Sequence, residues 1–406
     1  MCNRILAFCA EFNIFSDKQF GFRRGRSSQD AILDLLTYIY DGLDARESIV
    51  SVLIDLSKAF DTVNHDILLK KIHTYGIRGL SHKWIANYLD GRTQRVRINN
   101  SFSSVYNLSI GVPQGSLLGP LLFLLYVNDL PCVTSNASFV IYADDTTVSF
   151  RHKDPAILVN TLNSDLEVIS RWAISNRLSI NAGKTQCILF TNFSRDKFSS
   201  TDVILNNVKI KFEDSCELLG IQIDSRLTFV DHISYICQKA SKVVGILYKL
   251  REYISKRQMI MLYYGMFYPY MIYCCLAWGS ATEVHLRQLQ LIQKRIVRII
   301  DRQSYLAHSG PIFKNLSILK IRDIYRYLVG IYAFKKVNQS NLDFSEHGYF
   351  TRNSGHAVVP FKRLCLSQRS VDVVVPSFWN SLSEEIKNNE IETFKSRLRE
   401  YLMSLY

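Results

Sequence analysis

Hydrophobic and polar positions divide this chain into two regimes. Up to about residue 230, short apolar runs of strand formers alternate with segments of helical spacing, whereas from His232 onward only helical spacing remains. The spacing of Ile5, Leu6, Phe8 and Cys9 predicts a helix from Arg4 to Asn13, and an amphipathic helix follows from Gln29 to about Leu43. Ser48 to Leu56 reads as a strand that is apolar on both faces from Ile49 to Ile54, as the centre of a sheet requires. Helices are expected over Asp66 to Tyr75 and Ser81 to Asp90, with Arg92, Arg95 and Arg97 on a short exposed strand or loop after them. Pro120, at a first helical position, opens a buried helix through Val127. Phe139 to Val148 predicts a β-hairpin, Leu158 to Trp172 a helix, Leu178 to Phe190 a loop entering a strand, and Cys216 to Asp224 a strand pair around Gly220. His232 to Leu250 opens the helical regime, and an amphipathic helix from about Thr393 closes it.

The hairpin is the unusual element, because its turn carries Asp144 and Asp145 in place of Asn-Gly or Asp-Gly. Adjacent carboxylates repel, raise each other's pKa and lose hydration to flanking apolar strands, so the pair requires a cation to stay ionised. Hard oxygen ligands with no Cys or His nearby favour Mg²⁺, which commonly also holds a phosphate; the chemistry indicated is phosphoryl transfer. Asp55, at the tip of a buried strand, is either a helix N-cap or a further metal ligand, and the acidic hairpin favours the second reading. Gln114, in the turn-rich segment Gly111 to Ser116, is either an ordinary turn amide or a side chain that packs against a bound nucleotide. Lys184 lies on a loop, where a lysine is by default solvated. Arg23, Arg24 and Arg26 stand among glycines and could approach a phosphate backbone, although basic turns are common.

At 406 residues the chain is long enough for two or three domains. Its net charge of +13 points to a polyanionic partner. Fifteen Lys and Arg against four Asp and Glu between His232 and Arg326 place most of that charge in the helical regime, either on solvated helix faces or on a nucleic-acid surface. Nine cysteines without CxxC or zinc spacing suggest reduced thiols and an intracellular protein, with nothing to separate nucleus from cytoplasm. Met259 to Trp278 is uncharged and long enough to span a bilayer, but the tyrosines through its middle, with Gly265 and Pro269, predict buried helices instead. The first residues form neither a signal nor a transit peptide.

Five motifs then stand in order: Asp55-Leu56-Ser57-Lys58-Ala59-Phe60-Asp61, Gly111-Val112-Pro113-Gln114-Gly115, Tyr142-Ala143-Asp144-Asp145, Asn181 through Lys184-Thr185, and Leu218-Leu219-Gly220-Ile221. They match successive motifs of reverse transcriptases. With Gln19-Phe20-Gly21-Phe22-Arg23 ahead of them, and Phe378-Trp379-Asn380 and the Phe394 to Leu402 run behind, the chain resembles non-LTR (LINE-type, jockey-like) retrotransposon polymerases over essentially its whole length. The resemblance implies an RNA-directed DNA polymerase with an RNA template, a DNA primer and dNTPs as partners and no membrane. Asp55 and Asp144 would hold two Mg²⁺ ions, for which Mn²⁺ is a possible substitute, with Asp145 and the carbonyl of Leu56 completing the site. Phe60 would stack under the sugar and exclude a 2′-hydroxyl, Gln114 and Arg23 would contact the nucleotide, and Lys184 would be a general acid for pyrophosphate. The strand at Gly220 would grip the primer, and Lys239, Lys242, Lys249 and Arg251 would meet the phosphate backbone.

The implied fold is α+β: a right-hand polymerase palm with partial fingers over residues 1–230, a basic helical thumb over 231–330, and a helical C-terminal region over 331–406. Family members carry an Arg-Pro-Ile-Ser-like triphosphate clamp and an endonuclease domain upstream of the Gln19-Phe20-Gly21-Phe22 motif, neither of which stands in this sequence. The expectation is an N-terminally truncated copy in which Arg23, Arg24 and Arg26 substitute for the clamp in part. A catalytically inactive remnant that still binds nucleic acid is the alternative. A group II intron maturase shares the palm, but its maturase signature is not seen.

Overall fold

Ile49, Val50 and Val52 are fully buried, and the strand that carries them is the centre of a five-stranded sheet. The computed structural model describes residues 1–198, 202–340, 342–344 and 356–406. The chain divides into two units, residues 1–35 with 45–214 and residues 36–44 with 215–406.

In the first unit, α1 (Cys2–Glu11) and α2 (Ser28–Asp44) lead into β1 (Ser48–Ile54), the last turns of α2 belonging to the second unit. Helices α3 (His65–Thr74) and α4 (Gly79–Leu89) follow, and then four two-residue strands, β2 (Thr93–Gln94), β3 (Arg97–Ile98), β4 (Ser101–Phe102) and β5 (Tyr106–Asn107). Helix α5 (Leu118–Val127) precedes the hairpin of β6 (Ser138–Tyr142) and β7 (Asp145–His152), which α6 (Pro155–Ser175) and β8 (Gln186–Phe190) succeed. A small pair, β9 (Val203–Leu205) and β10 (Val208–Ile210), and β11 (Phe212–Glu213) complete the unit.

The sheet order is β11-β8-β1-β7-β6, antiparallel except for β11 with β8. Leu121 through Val127 are all buried, so α5 is apolar around its whole circumference, the mark of a helix enclosed by protein. Its helix starts at Leu118, which puts Pro120 at the third helical position and not the first; the position still tolerates Pro because the first-turn N–H groups have no intrahelical acceptor. Tyr126 stitches this helix to the rest of the core, accepting from the Asn64 amide and donating to the Asn176 carbonyl. In β1 the buried polar residues find partners within the sheet, Ser51 sharing a hydrogen bond with Ser149 at 2.7 Å.

The second unit opens with a hairpin, β12 (Ser215–Leu218) and β13 (Ile221–Asp224), and continues in helices α7 (Val230–Leu250), α8 (Lys256–Leu262), a π-helical turn (Tyr263–Phe267), α9 (Tyr268–Ile272), α10 (Cys275–Trp278), α11 (Glu283–Ile300), α12 (Ser309–Asn315), α13 (Ile321–Asn338), α14 (Val371–Ser381), α15 (Glu384–Lys387) and α16 (Ile391–Ser404). The division differs from the expected one at 230 and 330. The β12–β13 hairpin belongs with the helices, since the Tyr273 hydroxyl donates to the Leu219 carbonyl at 2.7 Å, and residues after 330 form no unit of their own. The uncharged run from Met259 breaks into short helices, and no helix among the described residues is long and apolar enough to cross a membrane. None of the nine cysteines is joined in a disulfide.

Candidate active site

The register of the sheet brings the designated carboxylates to one end of it. Ile54 pairs with Thr146, so Asp55 leaves β1 at the level where Asp145 enters β7, and Asp145 pairs in turn with Tyr142 of β6. The hairpin turn is therefore Ala143-Asp144, and Asp145 is already strand. Crowding by protein pushes the Asp145 carboxyl above the ordinary aspartate range, and the charges of Asp144 and then Asp55 add to the effect. The three acids thus feel one another. Among the described residues, however, no group of three His, Cys, Asp or Glu side chains is gathered tightly enough to hold a metal ion. The carboxylates share an edge without converging on a point.

The backbone of Asp55 is fixed by the loop that carries Lys184. The Asp55 carbonyl accepts from the Asn181 amide at 2.8 Å, the Ser57 amide donates to Ser179 at 2.8 Å, and the Asp55 amide reaches the Thr185 hydroxyl at 3.4 Å. Leu56 bridges Ile180 through these flanking bonds, and among the described residues no backbone amide donates to its carbonyl. The amides of Lys184 and Thr185 both turn back to the Asn181 carbonyl, and the Lys184 side chain is exposed. A lysine that the pattern would leave to solvent is so tied, through its turn, to the strand end bearing Asp55.

Phe60 is half-buried, its ring stacked on the buried Phe123 of α5 at 4.4 Å between centroids. The segment after it receives the Gln114 loop: the Val112 amide donates to the Phe60 carbonyl at 2.9 Å and the Gly111 amide to Val63 at 2.7 Å. Gly111 sits at φ 86°, and a Cβ there would stand 2.8 Å from the Asp61 carbonyl oxygen, so this approach needs glycine. Gln114 itself is exposed and donates to the Asp61 carboxylate at 2.8 Å.

Sequence reasoning assigned Arg23 to the nucleotide, but its guanidinium is engaged elsewhere. It donates to the carbonyls of Ser16 at 2.6 Å and Gln19 at 3.3 Å and lies over the Phe15 ring, and desolvation, with Arg26 adding to it, lowers its pKa. Arg26 pairs with Asp17. Arg24 and Arg26 are both exposed, and of these Arg26 is the one held in an ion pair.

Gln19, which the sequence left without a role, is the residue that holds the acidic turn. It is buried, and its Oε1 accepts from the Ala143 amide at 3.0 Å and from the Gly21 amide at 2.8 Å. Around it the Phe20 amide donates to the Ile141 carbonyl and the Ile141 amide to Lys18, so residues 18–20 cover the free edge of β6. Ala143 stands at φ 59°, a left-handed conformation that costs a non-glycine residue about 1–2 kcal/mol and that the Gln19 bond helps to hold. The only hint in the sequence was that a buried-type amide stands next to Phe20-Gly21.

The residues assigned to nucleic acid lie in the second unit. Gly220, with Leu219, forms the β12–β13 turn at φ 77°, against the Tyr273 ring. On α7, Lys242 and Lys249 are exposed and form no ion pair among the described residues, while the Lys239 ammonium lies 5.2 Å from the centre of the Tyr235 ring. Arg251, just beyond the helix, covers Tyr248 and pairs with Glu252 at 2.8 Å. The face is one of lysines interleaved with exposed tyrosines.

The family model described as reverse transcriptase (RNA-dependent DNA polymerase) matches residues 1–223. Among curated proteins, the probable RNA-directed DNA polymerase from transposon X-element of Drosophila melanogaster is 27% identical over 79% of this chain and 36% of its own length. The RNA-directed DNA polymerase from mobile element jockey of the same species is 28% identical over 75% of this chain and 34% of its own. The chain thus spans about a third of the length of these relatives. A solved structure of telomerase from Candida albicans in complex with a telomeric RNA fragment is similar at a TM-score of 0.43 and 12% identity, over 79% of this chain and 58% of that one. The chain belongs to the reverse transcriptase (RNA-dependent DNA polymerase) family.

Proposed function

We infer that this chain carries the nucleotidyl-transfer site of an RNA-directed DNA polymerase, the first unit serving as palm and the helices after β13 as thumb. The observation that carries the reading is the meeting of Asp55, Asp144 and Asp145 at one end of adjacent strands, with the Lys184 turn hydrogen-bonded to the Asp55 backbone. Members of this family use divalent metal ions. The donors here suit Mg²⁺, or Mn²⁺ in its place: the carboxylates of Asp55, Asp144 and Asp145 and the carbonyl of Leu56 are all hard oxygens, and the crowding of Asp145 is of the kind a cation relieves. Two such ions, when bound, would activate the primer 3′-hydroxyl and neutralise the triphosphate. Phe60, backed by Phe123, is rigid enough to exclude a 2′-hydroxyl. Gln114 would exchange Asp61 for the nucleotide, and Lys184 would give its proton to the departing pyrophosphate. RNA template, DNA primer and dNTPs are the proposed partners, inside a cell.

A second reading has its own support. Arg23 is spent on the backbone carbonyls of Ser16 and Gln19, which favours a chain that binds nucleic acid without polymerising by itself. The deciding measurement is Mg²⁺-dependent extension of a DNA primer on an RNA template, with rNTPs as the sugar control. The polymerase reading expects dNTP-specific extension that Asp144→Ala reduces by about a hundredfold to a thousandfold, the scale of losing a preorganised transition-state group. No extension by the parent chain, with duplex binding retained, establishes the second reading.

A further inference from the structure

Between α4 and the Gln114 loop the chain leaves the body of its unit. Thr93 through Asn107 are all exposed, a run of consecutive residues on two short β-ribbons, β2 with β5 and β3 with β4. The register shifts by one residue between the two, from Gln94 opposite Tyr106 to Arg97 opposite Phe102, which marks a bulge and keeps the ribbon twisted. An isolated two-stranded ribbon is marginal in water, and one that buries neither face is costly unless something covers it.

Its side chains describe what would cover it. Val96, Ile98, Phe102, Val105 and Tyr106 are 50–69% exposed, far from the polar surface expected of a free loop. Residues 91–110 contain Arg92, Arg95 and Arg97 and no acid, so the ribbon is a positive arm. Arg95 and Arg97 both lie over the Phe102 ring, at 4.2 and 5.4 Å from its centre, a guanidinium–aromatic cluster whose ring stays half-exposed, and Tyr106 is exposed further along the ribbon. A duplex hides its base faces and would use only the arginines. Unpaired bases offer both phosphates for the arginines and π-faces for the rings.

We propose that this ribbon is a binding arm for single-stranded RNA, holding unpaired template by stacking on Phe102 and Tyr106 and by phosphate contacts from Arg95 and Arg97. The choice of RNA rests on the polymerase reading above. The interaction is sequence-tolerant and is independent of the acidic site.

Fluorescence anisotropy with the whole chain tests it, using a labelled single-stranded RNA oligonucleotide, the DNA oligonucleotide of the same sequence and a blunt RNA duplex, without metal or nucleotide. Phe102→Ser should weaken single-stranded RNA binding roughly fivefold to a hundredfold while changing duplex binding less than about twofold. The double variant Arg95→Ser, Arg97→Ser should lower the slope of log affinity against log salt by about 1.4 for single-stranded RNA. Because the ribbon buries nothing, the thermal midpoint of both ribbon variants should not move. Unchanged RNA binding in both ribbon variants overturns the proposal, as does a loss confined to DNA or shared equally by the duplex. Neither result depends on whether the chain extends a primer.

Discussion

Gly21 shows how far a single position reaches. A Cβ there would stand 2.5 Å from the amide nitrogen of Ala143 and 3.0 Å from the carbonyl carbon of Tyr142, both backbone atoms of the acidic turn. Nothing flexible can give way, so Gly21→Ala must push residues 18–21 off the β6 edge or displace the turn. Overpacking of this kind costs about 1–3 kcal/mol. The expected outcome is a thermal midpoint lower by several degrees, together with a loss of primer extension larger than Arg24→Ala produces, since Arg24 is exposed. Melting curves and extension assays on the two variants check it. The clustering of Asp55, Asp144 and Asp145 at one end of the sheet was foreshadowed in the sequence because charge inside apolar strands is anomalous wherever it falls. Gln19 was not, because its value lies in a hydrogen bond to Ala143, 124 positions away, that composition does not encode. Arg23 was ambiguous for a related reason: a guanidinium beside glycines suits a phosphate and two backbone carbonyls equally well, and here it donates to the carbonyls of Ser16 and Gln19.

Among elements, β1, the acidic hairpin, α5 and α7 were recovered to within a few residues, α7 by the period of its one buried face and the others by apolar runs buried nearly all round. The assignment of β12–β13 escaped it, since a hairpin's own pattern says nothing of which body it joins, and Tyr273 settles that from 54 residues away. α7 also carries a liability that its amphipathic pattern concealed. His232, in its first turn, is 3% exposed, lies edge-on to Trp278, and has no hydrogen-bond partner on either ring nitrogen among the described residues. Burial lowers its pKa to about 4. A depressed pKa means that the neutral ring's contribution is fully present above the unfolded value near 6.5 and is lost as pH falls toward 4. The α7 dipole, positive at this end, also disfavours the protonated ring. The difference amounts to about 3 kcal/mol of acid-side destabilisation. His232→Phe, which keeps a ring against Trp278, should be at least as stable at pH 7 and should flatten the decline between pH 6.5 and 4. Urea unfolding at pH 7, 5 and 4 on both proteins is the measurement; a parallel decline would show that other groups carry the acid sensitivity.

For the molecule as a whole, charge is the property that the two units do not share evenly. Of a net +13, an excess of +11 falls between His232 and Arg326. Charge of that density on helices is expensive to keep free of counter-ions, and a phosphate backbone releases them on binding. On α7 the exposed Lys242 and Lys249, with Lys239 over Tyr235, stand on a face whose apolar opposite side, including Ile236, Ala240, Val243 and Leu247, is buried. Removing the lysines therefore tests association without disturbing the core. The variant Lys239→Ala, Lys242→Ala, Lys249→Ala should retain the parent's thermal midpoint to within about a degree. Its slope of log affinity against log salt for duplex DNA should be shallower by up to about 2.7, at roughly 0.9 for each phosphate no longer neutralised. Phe102→Ser, by contrast, should leave that duplex slope unchanged, because the ribbon is proposed to read unpaired bases. Titration of both variants between 50 and 200 mM salt separates the two surfaces. If the lysine variant keeps the parent's slope, the basic face of α7 is merely solvated and the charge that binds nucleic acid lies on other helices of the second unit.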